Sequence, residues 1–122
     1  MQLHQVAQHA DDLDRATDFY SRLLDAGPLA RFDPPGLVFF ALGSTRLLLE
    51  RGAPSALLYL RVDDVRRKVA ELGDAGVEVH TRPHEIFPDQ DGVFGPAGEA
   101  EWMAFVKDSD GNLLGLATRY PM

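Results

Sequence analysis

Apolar and polar positions follow two rhythms along this chain, and the rhythms change at predictable places. Residues 3–9 alternate as a strand does. After Asp11-Asp12, the residues Leu13, Ala16, Tyr20, Leu23 and Leu24 recur at helical spacing, with Phe19 beside them. Either Asp can accept the free N–H groups of the first turn. Gly27-Pro28 is expected to stop the helix, because Gly suits a C-terminal turn and Pro cannot extend it. Strands are predicted at 29–32 and 37–42, separated by Pro34-Pro35-Gly36, and Gly43-Ser44 turns into a third at 45–51. Gly52 to Ser55 reads as a linker.

The pattern then restarts. A strand at 57–62 meets Asp63-Asp64, which caps a helix with Val65, Val69 and Leu72 on one face and Gly76 at its end. Residues 77–87 read as extended, broken by Pro83. The Gly-, Pro- and acid-rich stretch 88–100 is long for a plain connection and is a candidate lid or binding loop. Strands at 101–107 and 113–118 flank the turn Asp108-Ser109-Asp110-Gly111-Asn112. Each half is thus strand, helix, three strands. The halves also share letters: Q-V-A-Q-H-A-D-D-L-D-R at 5–15 answers L-L-Y-L-R-V-D-D-V-R-R at 57–67. An internal repeat of this kind fixes architecture. One domain, 1–122, is expected, with module one at 1–52 and module two at 56–122.

Composition narrows the chemistry. The 122 residues suffice for one core, and there is no cysteine, so thiol catalysis, disulfides and Cys-zinc sites are excluded. The net charge is −7 with Arg and Lys scattered among acids, so nucleic acid is not expected as a partner. No apolar run approaches the ~20 residues of a membrane span, so membranes are not expected either. The N-terminus lacks signal-peptide regions, and the cytoplasm is the expected location.

Three stretches resemble the vicinal oxygen chelate superfamily, which includes glyoxalase I, extradiol dioxygenases and bleomycin resistance proteins. They are D-L-D-R-A-T-D-F-Y at 12–20, V-D-D-V at 62–65, and F-V-K-D-S-D-G-N-L at 105–113. The resemblance implies an α+β fold: two βαβββ modules forming a curved eight-stranded cup with helices packed outside. In the family's metalloenzymes an ion is held by one residue from the first and last strand of each module. On this chain those positions carry Gln5, Glu50, Leu57 and Gly115. Two of the four have no donor side chain, whereas a catalytic ion takes about three protein ligands. No cofactor is therefore expected, and a divalent metal only if another residue, such as His9, completes the set.

In the family's register, strand alternation turns Gln5 and His9, Arg46 and Glu50, and Tyr59 and Arg61 toward the ligand side. Apolar Val6, Leu47, Leu49, Leu58, Leu60, Leu114 and Leu116 then pack under the helices. Glu50 is the candidate catalytic base; its competing role is an ion pair with Arg46. Arg46 and Arg61 can hold a carboxylate or phosphate. His80 and His84 fall four apart, and Asp89 or Asp91 would have to complete a metal site with them; His84 is also a candidate ligand contact. Trp102 reads as core. The 108–112 segment looks like the start of a calcium loop but lacks the downstream Glu, and reads as a hairpin turn.

The resulting expectation is a binder of a small organic molecule with ligand contacts from Gln5, His9, Arg46, Tyr59, Arg61 and His84, without the full catalytic metal site. The resemblance also implies a homodimer. The alternatives are a metal-dependent lyase, isomerase or dioxygenase using Gln5, Glu50 and a His, and a purely structural domain.

Overall fold

The computed structural model describes all 122 residues. Its element order is β1 (Gln5–His9), α1 (Leu13–Leu24), β2 (Ala30–Phe32), β3 (Leu37–Leu42), β4 (Thr45–Glu50), β5 (Leu58–Arg61), α2 (Val65–Asp74), β6 (Val79–Asp89), β7 (Glu99–Lys107) and β8 (Leu113–Pro121). Two βαβββ modules are therefore present, each with its own four-stranded sheet, ordered β1-β4-β3-β2 and β5-β8-β7-β6. The chain forms two compact units. The first holds residues 1–56 together with the turn 108–112, and the second holds 57–107 and 113–122.

In the first unit, β1 runs parallel to β4 and the remaining pairs are antiparallel. Alternation buries Val38, Phe40, Leu47 and Leu49 on one face. The amphipathic α1 packs on β3 and β4 with Leu13, Ala16, Tyr20 and Leu23 inward. Of the two candidate caps, Asp12 is the one used: its carboxylate accepts the Arg15 N–H at 3.0 Å. That bond holds its carboxyl below the ordinary value of 3.8, because the ionised form is the better acceptor. The helix ends earlier than Gly27 implied. Asp25 takes the left-handed conformation with φ 53°, which a short polar side chain tolerates.

The second unit repeats this chemistry. Asp64 caps α2 through the N–H groups of Arg66 and Arg67. Val65, Val69 and Leu72 are buried, and α2 packs on β6, β7 and β8. Tyr120 donates its hydroxyl to Asp64 at 2.6 Å and is the main cause of that carboxyl's lowered pKa. Pro83 does not break its strand: β6 runs through it for 11 residues. The reason is position. β6 lies at the sheet edge, where a missing N–H costs no ladder bond, and register shifts at 79–81 and 81–84 absorb the irregularity. Trp102 is half-buried and lies under the Arg66 guanidinium, 4.5 Å from its ring centre; Tyr120 lies under the same group at 4.5 Å.

β6 and β7 take only the ends of the stretch 88–100, leaving residues 90–98 as a loop. The remaining loop is fixed from within. Buried Asp89 accepts the N–H groups of Val93 and Phe94, and Arg119 clamps Asp89 at 2.8 Å and Glu99 at 3.0 Å. Those backbone bonds, Phe94 first, keep the Asp89 carboxyl below its ordinary value.

Candidate functional site

The face of the first sheet opposite α1 carries the polar residues singled out above. Gln5 opposes Arg46 across the β1–β4 ladder, and His9 opposes Glu50. Arg46 Nε donates to Gln5 Oε1 at 3.0 Å. Its Nη2 lies 2.9 Å from His4 Nε2, which must accept because a guanidinium only donates. The guanidinium also stacks over the Phe39 ring, 5.6 Å from its centre. Gln5, Arg46 and Phe39 thus form one cluster with a fixed cation and an engaged amide oxygen.

Register sets what this cluster excludes. Gln5 lies four positions from His9 along β1, and Glu50 lies level with His9. At the rise of a strand that is about 13 Å, far beyond the reach of one ion's ligand shell. Gln5 and Glu50 are not brought together, and His9 does not join Gln5. The expected Arg46–Glu50 ion pair is also not formed, because Arg46 turns to Gln5 and His4. Glu50 is half-buried and its carboxylate makes no hydrogen bond or ion pair; its backbone carbonyl accepts the Ala10 N–H at 3.1 Å.

His9 has other company. Its Nε2 lies 2.9 Å from Asp11 Oδ1. The Asp11 N–H in turn donates to Asp110 Oδ1 at 2.9 Å. Donor atoms of His9, Asp11 and Asp110 all lie within 4.8 Å of one another.

Beneath this lies a polar network inside the core. Gln8, fully buried, accepts the Ala56 N–H at 2.7 Å and donates to Tyr20 Oη at 3.5 Å. Tyr20 donates to Asp108 at 2.7 Å. Asp108 also accepts from the backbone of Asp110 and Asn112 and from the Asn112 side chain. Burial first, then the Asp108 charge, pushes the Tyr20 phenol well above its ordinary pKa. This network shows the 108–112 segment to be a turn, with the Asp108 carboxylate committed to the protein. Sequence reasoning missed its core partners. The available signals were Gln8, a polar residue on the apolar face of β1, and the two acids spaced around Ser109.

In the second unit, Tyr59 opposes Gly115. A Cβ on Gly115 would lie 2.7 Å from Tyr59 Cδ1 and 3.1 Å from Phe105 Cε1. The two rings meet edge to face at 6.0 Å. The glycine is therefore covered by aromatic rings, and the space a ligating side chain would need is filled. Leu57 is half-exposed and falls outside β5. Arg61 ends β5 in solvent. His80 and His84 are both exposed; they bond to Thr81 Oγ1 and the Arg82 carbonyl, and the register shifts end simple alternation between them. Asp89 is held by Arg119 rather than by either His. A shallow cavity of about 440 Å³ is lined by residues including Phe87, Asp91 and Phe94.

Comparison with known proteins places this geometry. The model of the Glyoxalase/Bleomycin resistance protein/Dioxygenase superfamily matches residues 2–116. The Cadmium-induced protein CadI of Mycobacterium tuberculosis (strain ATCC 25618 / H37Rv) is 33% identical over 129 residues, covering 95% of this chain and 83% of CadI. Among solved structures, Lactoylglutathione lyase from Agrobacterium tumefaciens superposes with a TM-score of 0.70 at 22% identity, over 95% of this chain and 92% of that one. TioX from Micromonospora sp. ML1 superposes with a TM-score of 0.69 at 19% identity, over 96% and 98%. At such identities the two structures speak for the fold.

Proposed function

Because the chain belongs to the Glyoxalase/Bleomycin resistance protein/Dioxygenase superfamily, we propose that it binds a small organic anion without the family's catalytic metal. The observation that carries this reading is the Arg46–Gln5 bond. It puts a permanent cation against the one inherited position in the first unit that a ligand set would start from, and a cation repels a divalent ion while attracting a carboxylate or phosphate. The covered Gly115 and the donorless Leu57 support the same reading. These positions do not fit a divalent ion, so no metal-dependent step is derived. The proposed contacts on the first sheet are Gln5 and Arg46, with Phe39 for stacking. His9, Tyr59, Arg61 and His84 are proposed as further contacts, each to be tested by substitution. Exposed Leu3, Leu29 and Phe32 support a homodimer. No helix is long and apolar enough to cross a membrane, and a cytoplasmic location is part of the proposal.

The test is a thermal-shift screen of small carboxylates and phosphates, with metal analysis of protein purified without chelator. A ligand should raise Tm in the parent chain, and Arg46→Ala should remove that shift. Stoichiometric metal that disappears in Gln5→Ala or Glu50→Gln would sink the proposal.

A second reading is favoured by Glu50, a half-buried carboxylate without a partner. Such a group can act as a general base in a lyase, isomerase or dioxygenase. Turnover that collapses in Glu50→Gln, with ligand binding retained, would establish it.

A further inference from the structure

We propose that His9, Asp11 and Asp110 form a divalent-cation site, separate from the inherited positions. The three residues come from stretches about 100 positions apart in sequence, namely the end of β1 and the 108–112 turn, both within the first unit. Their donor atoms lie within 4.8 Å of one another, a spacing that one ion at the usual zinc–nitrogen and zinc–oxygen distances can bridge.

The donor set is one imidazole and two carboxylates. That mixture suits borderline ions such as zinc or cobalt better than calcium or magnesium, which take oxygen donors only. The site is also partly assembled. The Asp110 side chain is 3% exposed and is oriented by the Asp11 N–H, so little side-chain freedom remains to be lost when an ion arrives. Asp11, 75% exposed, leaves a solvent path for entry and for water ligands. His9 Nε2 faces Asp11 at 2.9 Å, a contact that requires a proton on that nitrogen when no ion is present. A cation replaces that proton. Arg15 Nη2, 3.9 Å from Asp110 Oδ1, opposes the ion electrostatically but is more than half exposed and therefore screened. His9 is about 13 Å from Gln5 along β1, so an ion here leaves the Gln5–Arg46 cluster untouched.

The experiment titrates zinc into full-length protein stripped of metal, by calorimetry, with cobalt as a spectroscopic probe of imidazole and carboxylate coordination. One ion per chain is expected. His9→Ala and Asp11→Asn should each weaken zinc by at least about tenfold, the loss that even outer-shell partners of metal ligands produce. Both residues are outside the core, and circular dichroism confirms folding of each variant. Gln5→Ala, four positions along β1 from His9, should leave zinc affinity within about twofold; a loss there instead would point to the inherited positions and would overturn both this site and the metal-free proposal. No zinc binding in the parent, or equal binding in His9→Ala, overturns this site alone and leaves the organic-ligand reading standing. Calcium binding tighter than zinc overturns the role of the imidazole.

Discussion

The two modules share a backbone plan and differ in what they place on the sheet face opposite the helix. Both begin with a strand, an Asp-Asp pair and a helix, and in both the second Asp is the cap. The first module puts a polar cluster, Gln5 with Arg46, on that face. The second puts rings there, with Tyr59 and Phe105 over Gly115. The unused first Asp diverges too. Asp11 meets His9 and Asp110, whereas Asp63 is simply exposed. The modules thus share the features that make the fold and differ on the sheet face opposite the helix.

The largest effect separating the modules is expected at Asp108, whose carboxylate serves four donors in the first unit. Asp108→Ala strands the Tyr20 hydroxyl in the core and should cost about 2–3 kcal/mol in urea unfolding. Asp108→Asn, which keeps an acceptor oxygen, should cost less. Equal stability of parent and Asp108→Ala would mean that the network does not hold the turn. Next comes the face of the second module. Gly115→Ala forces a Cβ against Tyr59 and should cost about 1–2 kcal/mol by overpacking. Adding Tyr59→Ala should recover most of that loss, and a double-mutant cycle reads the coupling. An additive cycle would show that the rings do not fill the space over Gly115.

Smaller differences come from the caps. Asp12→Ala and Asp64→Ala should each lower Tm by about 4 °C. The drop should be larger for Asp64, which also loses the Tyr120 hydroxyl. Identical drops would remove that distinction between the modules. The smallest effect is on acid stability. Asp12, Asp64 and Asp89 all have carboxyls held below 3.8 in the folded chain. Their contribution is present above that ordinary value and is lost as pH falls through the lowered folded values, because the unfolded chain then binds more protons first. Urea midpoints measured from about pH 5 down to about pH 2 should fall. The Asp12→Asn/Asp64→Asn variant keeps both caps and should flatten part of that fall; an unchanged profile would assign the acid loss to other groups.

Local signals carried much of the fold. The helical spacing of Leu13, Ala16, Tyr20 and Leu23 and the strand alternation around Leu47 and Leu49 were sufficient, because burying an apolar stripe selects the element's period. Residues whose role depends on distant partners were less legible. Pro83 looked like a break because its edge position is a property of the sheet, not of the sequence around it. Asp25 replaced Gly27 as the cap because a short polar side chain can take a left-handed turn. Arg46 looked like the partner of Glu50, four residues along the same strand, until the register set it opposite Gln5.

The sequence by itself determined two βαβββ modules, their Asp caps and the absence of donor side chains at Leu57 and Gly115, two positions singled out by the family resemblance. These follow from periodicity, from hydrogen bonds between near neighbours and from residue chemistry, all of which are local. Only the tertiary structure decided which polar groups meet: Arg46 with Gln5, Tyr20 with Asp108, and His9 with Asp11 and Asp110. Those meetings depend on strand register and on a turn about 100 residues away closing onto the end of β1, and no local rule along the chain encodes a distance of that kind.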